Sequence, residues 1–163
     1  MTDIFSTERN AIGGDLSWRV VFCDPEPLDN TRSSWRERLF HAVLHILTPG
    51  FRHCFLMRAV RMEAGKTAGW LIVNPNAARL DIFEVAEGGQ GDLGYGAYVD
   101  RLALSGAVHV LDLPQRYPEA LALRPWFSCV EVVKHVTGMK PPFWVVTPWQ
   151  LYRWVRAQGA EAA

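Results

Sequence analysis

Between residues 18 and 113, apolar residues form short runs or alternate with polar ones, and turn-forming residues separate these stretches. Such patterns are typical of β-strands, because successive side chains of a strand point to opposite faces of a sheet. We predict strands over residues 18–23, 51–60, 69–74, 80–85 and 107–113. Strands that a short turn joins, such as the second and third of these, are expected to pair antiparallel.

Three capping boxes predict where helices begin. In a capping box, a Ser or Thr is followed three positions later by Glu or Gln, as happens at Ser34, Ser128 and Thr147. The predicted helices run to about residue 47, from 129 to a stop at Gly138, and from 148 to about 157. The first of them carries an apolar stripe made of Trp35, Leu39, Val43, Ile46 and Leu47.

These elements predict an α+β fold, in which a mostly antiparallel sheet is packed by helices in a single domain. At 163 residues the chain is long enough to bury a substantial core. We assign residues 17–158 to the domain, residues 1–16 to a flexible N-terminal arm and residues 159–163 to a frayed tail. Residues 98–104 fit either a short helix or an extended link, and residues 118–123 fit a helical turn.

The composition narrows the class of protein. The 17 Lys and Arg balance the 17 Asp and Glu, so charge gives no support to a nucleic-acid partner. The N-terminus lacks the pattern of a signal peptide, and no apolar stretch approaches the ~20 residues that span a bilayer. The three scattered cysteines include no Cys-x-x-Cys pair, which indicates reduced thiols and a cytoplasmic protein rather than a disulfide framework.

Cys129 has the chemical setting of a nucleophile. It follows the predicted N-cap Ser128, where unpaired backbone N–H groups and the helix dipole favour a negative charge. An ordinary thiol has a pKa of about 8.5, and a helix N-terminus lowers it. The alternative is a structural role, because free cysteine often packs as a small apolar residue. For Cys23 the sequence indicates no partner.

A nucleophilic cysteine needs a base, and His53 is the candidate. Its predicted strand places it on a face with apolar residues, so its ring is expected to point at whatever helix covers that face. Pairing of strands 51–60 and 69–74 through a turn near 64–65 sets His53 roughly opposite Asn76, with Asn74 on the same face. Either amide can orient the ring, and Asn74 is preferred because it still lies within the strand. The alternative is that residues 74–76 form only a turn.

Other residues with chemical potential are interpreted structurally. His41 and His45 have a spacing that can bind a metal, but the glutamate of a zinc-protease helix is missing, so a solvated face is favoured. His109 lies within a strand as a structural residue, and His135 is expected on an exposed helix face. Cys54 is adjacent to His53 in the chain but points to the opposite face of the strand, which argues against it as the nucleophile.

The order His53, Asn74, Cys129 resembles that of the circularly permuted NlpC-type cysteine hydrolases, a papain-like branch with YiiX-like proteins and lecithin:retinol acyltransferase relatives. In that branch the histidine strand precedes the cysteine helix, and the third polar residue comes from the strand after the histidine. Residues 128–133 with Gly138 resemble the cysteine helix of YiiX-like members, and Thr147-Pro148 resembles the start of their next helix. The resemblance covers roughly residues 51–155 and implies a papain-like fold.

The leading hypothesis is a thiol hydrolase that cleaves an amide, peptide or ester bond. Cys129 is then the nucleophile, His53 the general base and acid, and Asn74 the residue that orients the ring, with no metal or organic cofactor. Relatives of this fold act on cell-wall peptides, ubiquitin-like tails and lipid esters, so the substrate class stays open. The alternative is a non-catalytic structural or assembly protein that uses the same fold, for example with a protein partner in a virion or tail. The aromatic residues concentrated near the C-terminus and the loose arm at 1–16 favour it, and the compact, Trp-rich chain resembles small proteins of tailed-phage structural clusters.

Overall fold

The computed structural model describes residues 17–25, 35–61, 67–76, 79–87, 94–113 and 128–160. The strands are β1 (Trp18–Cys23), β2 (His53–Arg61), β3 (Thr67–Pro75), β4 (Leu80–Ala86) and β5 (His109–Leu113). The helices are α1 (Trp35–Leu44), α2 (Tyr95–Leu104), α3 (Cys129–Thr137) and α4 (Pro148–Ala157). The predicted arm at 1–16, Ser34, the turn near 64–65, the helical turn at 118–123 and residues 161–163 of the predicted tail lie outside the described residues.

The five strands form one sheet in the order β4-β3-β2-β1-β5, and every neighbouring pair is antiparallel. The predicted antiparallel sheet packed by helices is therefore confirmed. Each predicted strand is present, with ends displaced by no more than two residues. The stretch at 98–104, for which a helix or an extended link was open, belongs to helix α2.

Local sequence sets the ends of α3 and α4 as predicted. The Ser128 side chain accepts a hydrogen bond from the backbone N–H of Glu131 at 3.2 Å, and Gly138 ends α3 with φ of 69°. Thr147 and Gln150 form the complete capping box of α4, with proline at the first turn. Among the described residues, no helix has the length and apolar character needed to cross a membrane.

The core lies on both faces of the sheet, because alternate residues of each strand are buried in different layers. One layer joins the sheet to α3 and α4; it includes Val20, Phe22, Cys54, Leu56, Leu111, Val130, Val133, Leu151 and Val155. The other layer joins the sheet to α2; it includes Val21, Met57, Ile72, Val99, Val108 and Val110. The sheet is therefore the middle of three layers.

The apolar stripe of α1 does not face this core. An amphipathic helix usually turns its apolar side inward, but Trp35 is 69% exposed and Leu39 58% exposed. The reason is tertiary, since α2 covers one face of the sheet and α3 with α4 covers the other. The helix also ends at Leu44, and not at the predicted residue 47.

Helix α3 is more buried than its sequence indicates. Charged side chains are usually solvated, yet Glu131 and Lys134 are only 8% and 5% exposed. The Lys134 ammonium donates a hydrogen bond to Glu131 Oε1 at 2.6 Å and a second to the backbone carbonyl of Val145. The segment that leads from α3 to α4 therefore returns over the charged side, and His135, expected to be exposed, is partly buried as well.

Candidate active site

The candidate site lies at one end of the sheet, where β2 and β3 stop pairing. The hydrogen-bonded register of these strands runs as far as Leu56 opposite Val73. The same register, continued by two residues, sets Cys54 opposite Pro75, which has no N–H for a ladder hydrogen bond. Cys23 of β1 lies opposite His53 at this end as well. The end of the ladder leaves backbone and side-chain groups available for other partners.

His53 and Asn74 meet across this end of the sheet. The His53 Nε2 atom is 2.8 Å from Asn74 Oδ1. Because an amide oxygen only accepts, this contact places the hydrogen on Nε2 and leaves Nδ1 available for a second partner. Asn76, the other candidate, is exposed; its side chain donates to the Asp81 carboxylate and its backbone N–H to the Arg79 carbonyl. The structure thus pairs Asn74, and not Asn76, with the histidine ring.

Cys129 completes the contact. It is the first residue of α3 and packs against the layer that contains Cys54, with His53 beside it. A hydrogen bond with the Cys54 thiol is the largest cause that lowers the pKa of Cys129, and a hydrogen bond with His53 and the charge of His53 lower this pKa further. Together they outweigh the opposing effect of burial, so the pKa of the Cys129 thiol lies well below its ordinary value.

The neighbours of the His53 ring favour its charged form and so raise its pKa. Burial alone would lower its pKa, because burial disfavours the charged imidazolium. The hydrogen bond and charge of Cys129 and the hydrogen bond with Asn74 act in the opposite direction and raise the pKa of His53 overall. A raised histidine pKa beside a lowered cysteine pKa describes a thiolate–imidazolium pair.

One expectation about faces is wrong in detail. His53 was expected to point at the helix that covers its face, but Phe55 and Met57, which alternate with His53 along β2, belong to the α2 layer. The α3 layer instead contains Cys54 and Leu56. Cys129 contacts His53 because both lie at the end of β2, where the β2–β3 ladder has stopped.

Two cysteines at the site were not assigned there from sequence. Cys54 does face away from His53, but that direction brings it under α3 and into contact with Cys129. Burial first, then its hydrogen bond with Cys129, raises the pKa of Cys54 well above the ordinary value, so this thiol keeps its proton. Burial and the charge of Asp24 raise the pKa of Cys23 to about 12. Strand alternation shows which face of β2 carries Cys54. It could not reveal the contact with Cys129, because the sequence does not show that α3 covers that face.

The remaining histidines have other surroundings. The His41 and His45 rings lie 5.0 Å apart at the C-terminal end of α1, and His45, the residue after the helix, is exposed. His109 stacks on Phe51 with ring centroids 4.4 Å apart, in agreement with a structural role. In the described part of the chain, no group of three or more His, Cys, Asp or Glu residues is arranged to hold a metal ion.

Comparison of the chain with protein-family models, with curated proteins and with solved structures gave no significant match in any of the three. The chemistry of this protein is therefore inferred from the geometry of its site.

Proposed function

We propose that the protein is a thiol hydrolase that cleaves an amide, peptide or ester bond, built on a papain-like domain of the permuted NlpC type. Support for the fold comes from the chain order of the site: the histidine strand β2, then the asparagine strand β3, then the cysteine helix α3. The observation that carries the proposal is that Asn74 Oδ1 lies 2.8 Å from His53 Nε2, while Cys129 lies beside His53, which lowers the pKa of its thiol.

In this mechanism the Cys129 thiolate attacks the carbonyl carbon of the substrate. The first N–H groups of a helix have no partner within the helix, so the start of α3 offers hydrogen-bond donors to the oxyanion that forms. The His53 imidazolium then protonates the leaving group, which leaves an acyl group on the sulfur as a thioester. Neutral His53 next removes a proton from water, the water attacks the thioester, and the thiol is regenerated.

Each residue has a distinct task in this sequence of steps. Asn74 accepts a hydrogen bond from Nε2 of His53, which holds the ring in place and leaves Nδ1 as the atom that can exchange a proton with the sulfur. His53 keeps the sulfur ionised before the attack and supplies the proton after it. Ser128 caps α3 and thereby sets the turn that carries Cys129.

A generic activated ester tests the proposal without knowledge of the natural substrate. With p-nitrophenyl acetate, wild-type protein is expected to release about one equivalent of p-nitrophenolate per chain in a burst, as the acetyl group moves to Cys129. Mass spectrometry of the peptide that contains Cys129 detects the acetyl group. Cys129→Ser and His53→Ala are each expected to abolish the burst, and the double variant should be no worse than either, since the two act as a unit.

Cys23→Ser is the matched control, because it changes a neighbouring cysteine whose sulfur takes no part in the steps above. It should retain the burst, and all variants should melt within a few degrees of the wild type. A wild-type protein that acetylates Cys129 no faster than Cys129→Ser acetylates its serine would contradict the hydrolase assignment.

A second candidate function, an assembly protein, is favoured by one observation. The turn between α3 and α4 exposes large apolar side chains: Phe143 is 77% exposed, Trp144 54% and Val146 55%. Contiguous exposed apolar residues often mark protein interfaces. If the protein is an assembly protein, Cys129→Ser should leave its biological role unchanged and Trp144→Ala should impair it. If the protein is a hydrolase, Cys129→Ser should be the more damaging of the two substitutions.

A further inference from the structure

Strand β4 is an edge of the sheet, with β3 on one side and no described strand on the other. An edge strand has backbone N–H and C=O groups that point away from the sheet and can pair with a further strand. Three large apolar side chains of β4 are exposed as well: Leu80 is 39% exposed, Ile82 61% and Phe83 44%. Because Ile82 and Phe83 are successive residues, they lie on opposite faces of the sheet. A partner strand at this edge would therefore cover apolar surface on both faces.

The opposite edge of the sheet, strand β5, is better protected. It has five residues against seven in β4, and its apolar side chains Val110, Leu111 and Leu113 are buried. Its exposed residue is Asp112, whose carboxylate pairs with Arg19 of β1, and an exposed charge at an edge disfavours strand pairing. Strand β4 contains neither Lys nor Pro, two residues that often protect an edge. The two edges therefore differ, and β4 is the one suited to a partner.

The charges at the ends of β4 fit a second copy of the same strand. Two copies can pair antiparallel about a two-fold axis at Phe83, which sets the two Phe83 rings side by side. In that register Arg79 lies opposite Glu87 of the second copy, and the symmetry makes this ion pair twice. The Arg79 side chain is 76% exposed, and its contact with Asp81 at 2.8 Å uses one of the five guanidinium donors. Charge complementarity therefore favours self-pairing.

Other registers that keep each face continuous are less favourable. An axis at Glu84 would set two glutamates against each other and Asp81 opposite Glu87 of the second copy. Like charges directly opposite each other are destabilising. An axis at Ile82 would set Arg79 opposite an apolar residue, so the ion pairs would be lost. The charges of β4 thus select the axis at Phe83.

We propose that β4 pairs antiparallel with β4 of a second copy of the chain, about a two-fold axis at Phe83, so that two five-stranded sheets become one continuous sheet. Backbone hydrogen bonds form the new ladder, and aromatic pairs across strands are favourable. Ile82 becomes covered on one face and Phe83 on the other. Asn74 of the candidate site lies on β3, one strand in from this edge, so the inference does not depend on the proposed hydrolase.

Sedimentation equilibrium over about 5–500 µM protein tests the association, because dimer formation depends on concentration. Wild-type protein is expected to approach twice the 18.4 kDa of the single chain. Ile82→Lys places a charge at the edge and should keep the mass at that of one chain. Ile46→Lys is the matched control, because it changes an isoleucine that is 84% exposed outside β4, and it should associate as wild type does.

Wild-type protein that stays at the mass of one chain over the whole range overturns the proposal and leaves the edge to an extended segment of a different protein. Association that persists in Ile82→Lys also overturns it, because another surface would then hold the dimer.

Disulfide cross-linking tests the register. Residues directly opposite in an antiparallel pair have Cα atoms about 4.5–5.5 Å apart, a separation that a disulfide spans. With copper–phenanthroline in air, Phe83→Cys is therefore expected to form a cross-linked dimer. Ile82→Cys and Glu84→Cys should each fail to cross-link alone, but a mixture of the two should cross-link, because these positions lie opposite each other. Non-reducing electrophoresis and peptide mass spectrometry identify the cysteines that are joined.

Cross-linking of Ile82→Cys or Glu84→Cys with itself, as fast as that of Phe83→Cys, overturns the proposed axis. Far-ultraviolet circular dichroism identifies a variant that fails to fold, and Arg79→Glu then decides the matter. This substitution replaces two attractions with two repulsions, so the dimer should dissociate about tenfold more readily. An unchanged dissociation constant in Arg79→Glu would overturn the proposal.

Discussion

At the scale of single residues, the orientation of the His53 ring depends on one acceptor, Asn74 Oδ1. Asn74→Ala removes that acceptor and lets the ring rotate or change tautomer. We expect the acetyl-transfer rate to fall by about 100-fold, the lower end of what a positioned base contributes. Stopped-flow measurement of p-nitrophenolate release gives this rate. Asn76→Ala, which removes an exposed amide bonded to Asp81, is the matched control and should react as wild type does.

The second prediction at this scale concerns pH. Because the pKa of Cys129 is lowered, its thiolate is expected to react with iodoacetamide well below the ordinary thiol value of about 8.5. The stability that comes from this thiolate is present above the ordinary value and is lost as the pH falls through the lowered pKa. The stability that comes from protonated His53 depends on pH in the opposite way, because the pKa of His53 is raised. This stability is fully present below the ordinary histidine value of about 6.5 and is lost as the pH rises through the raised pKa.

Alkylation rates of Cys129, measured by mass spectrometry from pH 4 to 10, check this expectation. His53→Ala should shift the acidic limb of this rate profile to higher pH, because it removes the charge that favours the thiolate. Cys23, with its pKa raised to about 12, should stay unlabelled while Cys129 reacts. Equal labelling of Cys23 and Cys129 at neutral pH would show that the thiolate–imidazolium pair does not form.

At the scale of elements, a comparison of two N-caps separates an effect on stability from an effect on the site. Ser128→Ala and Thr147→Ala each remove a side chain that accepts a hydrogen bond from the third backbone N–H of its helix. Each is expected to cost about 1 kcal/mol in the free energy of unfolding. Urea denaturation should show the same loss for both, but only Ser128→Ala should slow alkylation of Cys129. Similar alkylation in both variants would mean that the cap of α3 does not set the position of the sulfur.

The buried pair of Glu131 and Lys134 gives a further prediction for α3. Lys134→Met removes the ammonium that bonds Glu131 and the Val145 carbonyl, and it leaves a carboxylate in a buried position. We expect a loss of about 3–5 kcal/mol, measured by urea denaturation. Arg79→Met is the control, because Arg79 is exposed in its ion pair with Asp81 and should cost less than about 1 kcal/mol. A loss as small in Lys134→Met would indicate that water reaches Glu131.

At the scale of the whole molecule, the two layers on one sheet predict where substitutions matter. Leu111 is fully buried in the α3 layer, so Leu111→Ala should cost about 2–5 kcal/mol. Ile46, beyond the end of α1, is 84% exposed, and Ile46→Ala should change the free energy of unfolding by less than about 0.5 kcal/mol. Thermal and urea unfolding of both variants test this contrast; a large loss for Ile46→Ala would place that side chain in a contact essential to the fold.

Much of the local structure was determined by the sequence alone, because capping, turn formation and strand alternation depend on neighbouring residues. Ser128 and Gly138 bound α3, Thr147 begins α4, and the register of β2 and β3 brings His53 and Asn74 to one face. The candidate triad followed from this local information. The chemistry expected of it was inferred from residue types, and the roles of its members stay predictions.

Only the tertiary structure decided which surfaces meet. Periodicity shows that a helix or strand has two sides, but not what covers each side. The sequence therefore could not show that α3 packs over Cys54, that the chain returns over Lys134, or that the stripe of α1 is exposed. For the same reason the second thiol of the site was hidden in the sequence. Its contact with Cys129 exists because a helix tip and the end of a ladder, 75 positions apart in the chain, come together in space.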